Sequence, residues 1–169
     1  MMPSLVDEFI NKSTTPEDNF YFIPRLAKSL PKGMVGRIVP SAFSGPDPRF
    51  LLDTGASRSL LSHQLASDLD LDLRAKPKPF STAGGQFEFI ESSFLMFLGG
   101  DLVELPCLVP PPSNINTQRK AINALGWKGF IGPYSMELFQ HKALIYKVDD
   151  YRPAQPATWM KVKMQLESA

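Results

Sequence analysis

The sequence predicts a mostly β domain with one or two short helices. Proline is frequent, at 16 of 169 residues, and 11 glycines accompany it, which favours many turns between short strands over a bundle of long helices. From Gly33 onward apolar and polar residues alternate with a period of two, as they do in half-buried strands. The length suffices for one compact core and is too short for two full-sized domains. We therefore expect one domain with tails.

Charge and rare residue types argue against several classes of function. Lys and Arg total 18 against 17 for Asp and Glu, and this formal charge of +1 gives no reason to expect nucleic acid or a membrane surface as a partner. The single cysteine, Cys107, rules out an intramolecular disulfide, and two histidines leave little material for zinc. The N-terminus lacks the residue order of a signal peptide, so we expect a soluble protein that is not exported by itself.

The chain is interpreted as three parts. Residues 1–32 mix apolar positions with a turn-rich stretch at 13–19, and we interpret them as an N-terminal arm or linker that packs on the domain or on a second copy. Within this arm, the segment from Ser4 to Ile10 can start a short helix. Residues 33–148 carry the regular patterns and form the predicted domain, whereas residues 149–169 lose clear pattern and are interpreted as a C-terminal tail.

The first elements of the domain are a hairpin and a helix. Strands are predicted at 34–39 and 49–52, joined by a turn rich in Gly and Pro. Ser62 can then cap a short helix, in which Leu65 and Leu69 lie four residues apart on one face. We expect this helix to pack on the sheet.

Two further hairpins are predicted from glycines placed between alternating runs. The first spans 80–90 with its tip at 83–85, where we expect mobility. The second spans 94–109 and reverses at Gly99–Gly100.

The last part of the domain is predicted to be a loop, a strand, a helix and a strand. Residues 110–120 form a surface loop, with a helical turn at 119–125 as an option. An apolar strand at 127–132 follows, then a helix started by Pro133 and running to about residue 140, and a final strand at 143–148.

A carboxylate interrupts the apolar strand that ends near Leu52. Residues 51–57 read Leu-Leu-Asp-Thr-Gly-Ala-Ser, and the apolar pair Leu60-Leu61 follows. An Asp-Thr-Gly triplet alone is usually a bend between strands. A carboxylate between two apolar strands is costly unless it has a partner or a task, so its context decides the interpretation.

The motif and its surroundings resemble the active-site region of aspartic proteases, specifically the retropepsin branch of retroviruses and long-terminal-repeat retrotransposons. The apolar pair before Asp53, Ser57 two residues after Gly55, and a helix near Ser62 lie where that family has them. The glycine-tipped hairpin stands at the position of the family's flap. Phe130-Ile131-Gly132 looks like the family's second apolar-apolar-Gly element, which crosses behind the catalytic loop. The resemblance covers roughly residues 33–148.

The resemblance implies a retropepsin-like closed β-barrel that acts as a homodimeric aspartic endopeptidase and requires neither a metal nor an organic cofactor. One chain carries one such motif, so Asp53 would need the Asp53 of a second copy. The substrate would be an extended peptide or a polyprotein of a retroelement or virus, which implies a location in the cytoplasm or within a virus-like particle. The implied site residues are the catalytic Asp53; Thr54, Gly55, Ala56 and Ser57 in the active-site loop; Thr82, Ala83, Gly84 and Gly85 in the flap; and Phe130, Ile131 and Gly132 in the second element.

Two alternatives remain beside this reading. The chain could be a non-catalytic module of the same fold that dimerises or holds a peptide, although the intact Asp-Thr-Gly motif argues against it. It could also be a cellular regulatory protease of retropepsin type. In addition, Pro133-Tyr134 stands where many relatives have a charged residue after the second element, which puts the strength of the dimer in question.

Overall fold

The computed structural model describes residues 4–28, 43, 48–82, 84–112 and 123–147, and these residues form a mostly β fold. The strands are β1 (Ser4–Ile10), β2 (Tyr21–Phe22), β3 (Arg25–Ala27), β4 (Phe50–Leu52), β5 (Ser59–Leu60), β6 (Lys78–Thr82), β7 (Gly85–Leu98), β8 (Asp101–Val109), β9 (Asn123–Leu125), β10 (Tyr134–Leu138) and β11 (Lys142–Lys147). The helical elements within the described ranges are α1 (His63–Asp68) and a π-helical segment, Trp127–Ile131, which is kinked at Lys128 and Gly129. The predicted mostly β class with short helices is confirmed.

The larger sheet curls into a half-barrel and contains the candidate site. Its strands lie in the order β2-β4-β9-β5-β8-β7-β3, and β6 pairs with the start of β7. Two of its pairings are parallel, β4 with β9 and β5 with β8. Parallel strands cannot be joined by a tight turn, so the chain leaves the sheet after the first strand of each pair and returns before the second. This crossover brings the loop after β4 beside the end of β9.

A smaller sheet, in the order β1-β11-β10, joins the first described strand to the last. Ser4–Ile10 pairs along β11 as a strand, so the expectation that it starts a helix is wrong. Asp7 lies within β1, and its side-chain carboxylate accepts a hydrogen bond from the Gly99 N–H at 2.8 Å. This contact ties β1 to the turn between β7 and β8, and the segment assigned to an arm thereby packs on the domain.

Aromatic rings connect the two sheets through the core. Phe9 of β1 stacks on Phe22 of β2 at 4.3 Å between ring centroids, and Phe22 contacts Phe50 of β4 at 6.4 Å. Phe50 in turn stacks on Phe94 of β7 at 6.0 Å. Phe22, Phe50 and Phe94 are almost completely buried. Because each buried aromatic side chain removes a large apolar area from water, this row of rings fixes β4 firmly in the core.

The predicted helix α1 and both glycine hairpins are confirmed. Ser62 caps α1 by accepting a hydrogen bond from the Leu65 N–H at 3.1 Å, and Leu65 and Leu69 are buried, as their spacing predicts. Residues 78–82 and 85–89 pair in the first hairpin, and residues 90–98 and 101–109 pair in the second, which reverses at Gly99–Gly100. The predicted strand at 34–39 lies outside the described residues.

The predictions for the last part of the domain are mostly wrong. Residues 123–125, within the predicted helical turn, form strand β9, and residues 127–131 form the π-helical segment in place of a strand. The helix expected after Pro133 is strand β10, because β11 returns beside it and pairs Met136 with Ile145, both buried. The final strand is confirmed as β11. Within the described ranges, no helix has the length and apolar character needed to cross a membrane.

Candidate active site

Asp53 follows directly after β4 and is held beside the end of β9. The register pairs Leu52 with Leu125, and the Asp53 N–H continues this ladder by donating to the Leu125 carbonyl at 3.0 Å. Leu52 and Leu125 are buried, whereas the Asp53 side chain is half-buried. The apolar strand therefore ends with its carboxylate at the boundary between the core and solvent.

The carboxylate is oriented by its own loop. The Gly55 N–H donates to Asp53 Oδ1 at 2.9 Å, and the Ala56 N–H donates to the Asp53 carbonyl at 3.3 Å. A methyl group at position 55 would lie 3.2 Å from Oδ1 and crowd that oxygen. Glycine at this position thus allows the backbone to approach the carboxylate closely enough to bond it.

The segment after β9 braces the other half of the loop. The Trp127 N–H donates to the Ala56 carbonyl at 3.0 Å, and the Lys128 N–H donates to the Ser57 carbonyl at 2.9 Å. The Trp127 indole Nε1–H donates to the Thr54 carbonyl at 2.7 Å. Three carbonyls of the loop, those of Thr54, Ala56 and Ser57, are therefore held by two residues of a single segment.

Gly126 lies where the segment that follows β9 meets the loop after Asp53. A Cβ atom there would be 2.6 Å from both the Ala56 and Arg58 carbonyl oxygens, so the two segments meet backbone to backbone. The Gly126 N–H donates to the hydroxyl of Ser59, which is fully buried, at 3.1 Å. This position therefore requires a glycine, and its buried amide has a partner.

The second apolar-apolar-Gly element predicted from sequence lies elsewhere. Ala124-Leu125-Gly126 runs beside Asp53, whereas Phe130 and Ile131 lie in the π-helical segment and Gly132 follows it. Phe130 packs in the core against Phe9 and Tyr134, each at 6.0 Å between ring centroids. Residues 124–126 and residues 130–132 both match the apolar-apolar-Gly pattern, so the sequence contains two candidates. Only the tertiary structure distinguishes them, because it pairs residues 123–125 with β4.

The predicted flap is a hairpin of β6 with the first residues of β7. Thr82 pairs with Gly85 at its end, and the Thr82 hydroxyl donates to the Gly85 carbonyl at 2.8 Å. The Gly84 N–H donates to the same hydroxyl oxygen at 3.2 Å. Gly85 has a φ of 118°, a value that favours glycine. Ala83 lies outside the described residues.

Arg58 connects the loop to the base of the flap. Its Nη1 lies 3.3 Å from Glu91 Oε1 on β7, and its guanidinium carbon lies 5.2 Å from the centroid of the Phe80 ring on β6. Lys78 Nζ reaches the other oxygen of Glu91 at 3.5 Å. The sequence reading did not single out Arg58 or Glu91, because both are ordinary charged residues in the sequence.

The described residues also provide two observations on metal and thiol chemistry. Within them, no group of three or more His, Cys, Asp or Glu side chains is placed to hold a metal ion. Cys107 is buried in β8, and this burial raises the pKa of its thiol to about 12. A thiol held in its neutral form is a poor nucleophile, so Cys107 acts as a small core residue.

Part of the chain matches a known family model, and most of the chain resembles a solved structure in fold. Residues 39–111 match the family model described as Aspartyl protease. The fold is similar to that of the crystal structure of a retropepsin-like aspartic protease from Rickettsia conorii, with a TM-score of 0.54 and 18% sequence identity over 87% of this chain and 96% of that chain. No curated protein sequence matches the chain. The protein has a retropepsin-like fold.

Proposed function

We propose that this protein is an aspartic endopeptidase in which Asp53 activates water. The observation that carries the proposal is the position of Asp53: its carboxylate ends a buried strand, Oδ1 is held at 2.9 Å by the Gly55 N–H, and Trp127 and Lys128 brace the loop around it. Such preorganisation costs stability and has a use when the carboxylate performs chemistry. The match of residues 39–111 to aspartyl proteases supports the same activity.

The chemistry requires two carboxyl groups. One carboxylate removes a proton from water as the water oxygen attacks the peptide carbonyl carbon, while the other, protonated group donates to the carbonyl oxygen. The tetrahedral species then collapses, the C–N bond breaks, and the leaving nitrogen takes up a proton. Because the sequence contains a single Asp-Thr-Gly motif, the second carboxyl group belongs to the Asp53 of another copy, and the dyad lies on a two-fold axis.

The other residues of the site have supporting roles in this proposal. The Thr54 hydroxyl bonds across the interface between the two copies, and Gly55 leaves room for the paired carboxylates. The hairpin tip around Gly84 and Gly85 closes over the substrate, excludes water and opens for product release. The substrate lies extended, bonded through its backbone like an added strand, with alternate side chains in apolar pockets.

The natural substrate is proposed to be a polyprotein of a retroelement or reverse-transcribing virus, on the strength of the motif's resemblance alone. The similar fold in a protein from Rickettsia conorii keeps a cellular substrate as the alternative. Mapping the sites cut in a set of unfolded proteins would test this finer proposal, because a processing protease cuts at a few related sites. Indiscriminate cutting would contradict it.

The central experiment measures cleavage of an unstructured protein by wild type and by Asp53→Asn. Asp53→Asn keeps the size of the side chain and removes the base, so we expect a loss of at least about 1,000-fold in rate with the fold retained. Asp101→Asn is the matched control, since Asp101 is exposed at the β7–β8 turn and should keep full activity. Undiminished cleavage by a folded Asp53→Asn variant would overturn the mechanism.

A mixing experiment tests the shared dyad. An excess of Asp53→Asn protein should inhibit wild type, because mixed dimers contain only one competent carboxylate. The rate should also fall faster than in proportion to protein concentration on dilution. A rate that is proportional to wild-type concentration and insensitive to the variant would show that a single chain is sufficient.

A further inference from the structure

The flap hairpin separates from the sheet at a defined point on β7. Residues 85–89 of β7 pair only with β6 among the described strands, and pairing with β8 begins where Ile90 meets Val109. Glu91 is the next residue and pairs with Leu108. The hairpin therefore projects from a root at Ile90 and Glu91, and any opening of the flap must bend the chain there.

Arg58 contacts both strands of the hairpin close to this root. Its guanidinium forms an ion pair with Glu91 on β7 at 3.3 Å and lies over the ring of Phe80 on β6 at 5.2 Å. Lys78 of β6 reaches the same carboxylate at 3.5 Å. The Glu91 carboxylate therefore links Lys78 of the hairpin to Arg58 of the active-site loop.

The backbone of Arg58 is fixed on the active-site side. Its carbonyl oxygen packs against Gly126, where a Cβ would approach to 2.6 Å, and the preceding Ser57 carbonyl accepts the Lys128 N–H. The following Ser59 is fully buried. Arg58 therefore extends from a rigid support five residues after Asp53, and its side chain is the part that reaches the flap.

We propose that Arg58 is a positioning residue that sets the resting position of the flap relative to the Asp53 loop, through Glu91 and Phe80. An ion pair of this exposure and a guanidinium over an aromatic ring are each worth a factor of about two to five. Together these two contacts favour one resting position of the flap and still allow it to open, as a lid must in each turnover. The inference rests on the proposed function, and its first test does not depend on activity.

The first test is amide hydrogen exchange of the flap in the full-length protein. Arg58→Gln should speed exchange in residues 78–82 and 85–89 by about fivefold, while exchange in β8 stays unchanged, because only the flap loses its support. Arg74→Gln is the matched control, since this exposed guanidinium pairs with Asp72 only two residues away and joins no separate elements. Equal flap exchange in wild type and Arg58→Gln would overturn the proposal, whether or not the protein cleaves peptides.

The second test is kinetic and separates positioning from general damage. Arg58→Gln should raise KM about fivefold with kcat within about twofold, because the flap contacts substrate and transition state alike. Arg58→Lys should recover part of the loss, since a lysine keeps the ion pair with Glu91 and loses the planar stacking on Phe80. Adding Glu91→Gln to Arg58→Gln should cost less than Glu91→Gln does alone.

These outcomes distinguish the two proposals. A fall in kcat with an unchanged KM, or additive effects of the Arg58 and Glu91 substitutions, would contradict the positioning role. Absence of cleavage by wild type would refute the proposed function and leave the exchange experiment to decide the coupling of the loop and the flap.

Discussion

Gly126→Ala tests whether the brace behind the active-site loop sets the position of Asp53. The added Cβ would lie 2.6 Å from the carbonyl oxygens of Ala56 and Arg58, whereas ordinary contact begins at 3.4 Å, so the backbone segments must separate by about 0.8 Å. A displacement of about 1 Å in a catalytic group can cost about 100-fold in rate. We therefore expect kcat/KM to fall by about 30- to 100-fold.

The same substitution should leave the protein folded. Overpacking at one position costs about 1–3 kcal/mol, which a domain of ordinary stability of about 5–15 kcal/mol can absorb. The assay combines steady-state cleavage with urea unfolding, so that activity is compared only between folded samples. Gly100→Ala is the matched control, because nothing lies within 4 Å of a Cβ built there, and we expect activity and stability close to wild type. Wild-type kinetics in folded Gly126→Ala would refute the argument that backbone contact at this glycine positions the site.

Two further predictions concern buried groups near the site. Ser59→Ala leaves the Gly126 N–H without its acceptor in a fully buried position and should lower the free energy of unfolding, measured by urea titration, by about 1–3 kcal/mol. Ser57→Ala is the control, because Ser57 is exposed and its loss should cost much less. Equal costs for the two substitutions would contradict the assignment of Ser59 as the acceptor. The pKa of the Cys107 thiol, raised from 9.0 to about 12 by burial, predicts that the folded state keeps its proton while the unfolded state loses it as pH rises above 9. The free energy of unfolding should therefore fall between pH 9 and 12 by up to about 1.4 kcal/mol per pH unit more steeply in wild type than in Cys107→Ala, and parallel pH profiles would contradict the burial argument.

Local patterns were sufficient where the chemistry or the turn is itself local. Ser62 predicted the start of α1, because a cap needs only its own hydroxyl and the third amide after it. Gly84–Gly85 and Gly99–Gly100 predicted two reversals, because a tight turn places its conformational demand on those residues alone. The Asp-Thr-Gly motif predicted the loop for the same reason, since Gly55 bonds a side chain only two residues away.

Elements that depend on a distant partner were mispredicted. Residues 134–138 follow a proline that suits a helix, yet β11 supplies a hydrogen-bonding partner and the segment becomes a strand. Residues 4–10 likewise become a strand because β11 offers its other edge. In both cases the propensity of the segment is weak compared with the backbone hydrogen bonds and buried area gained by joining a sheet.

The site likewise combines features that the local sequence predicts with features that depend on tertiary contacts. From sequence alone the candidate carboxylate, its glycine, the flap hairpin and the mostly β class follow, because each is a property of neighbouring residues. The identity of the segment behind the loop does not, since residues 124–126 and 130–132 both match the pattern, and only the parallel pairing of β4 with β9 selects the first. The contacts of Arg58 with Glu91 and Phe80 are likewise decided by the tertiary structure, because they join residues more than 20 positions apart whose proximity depends on how the sheet curls.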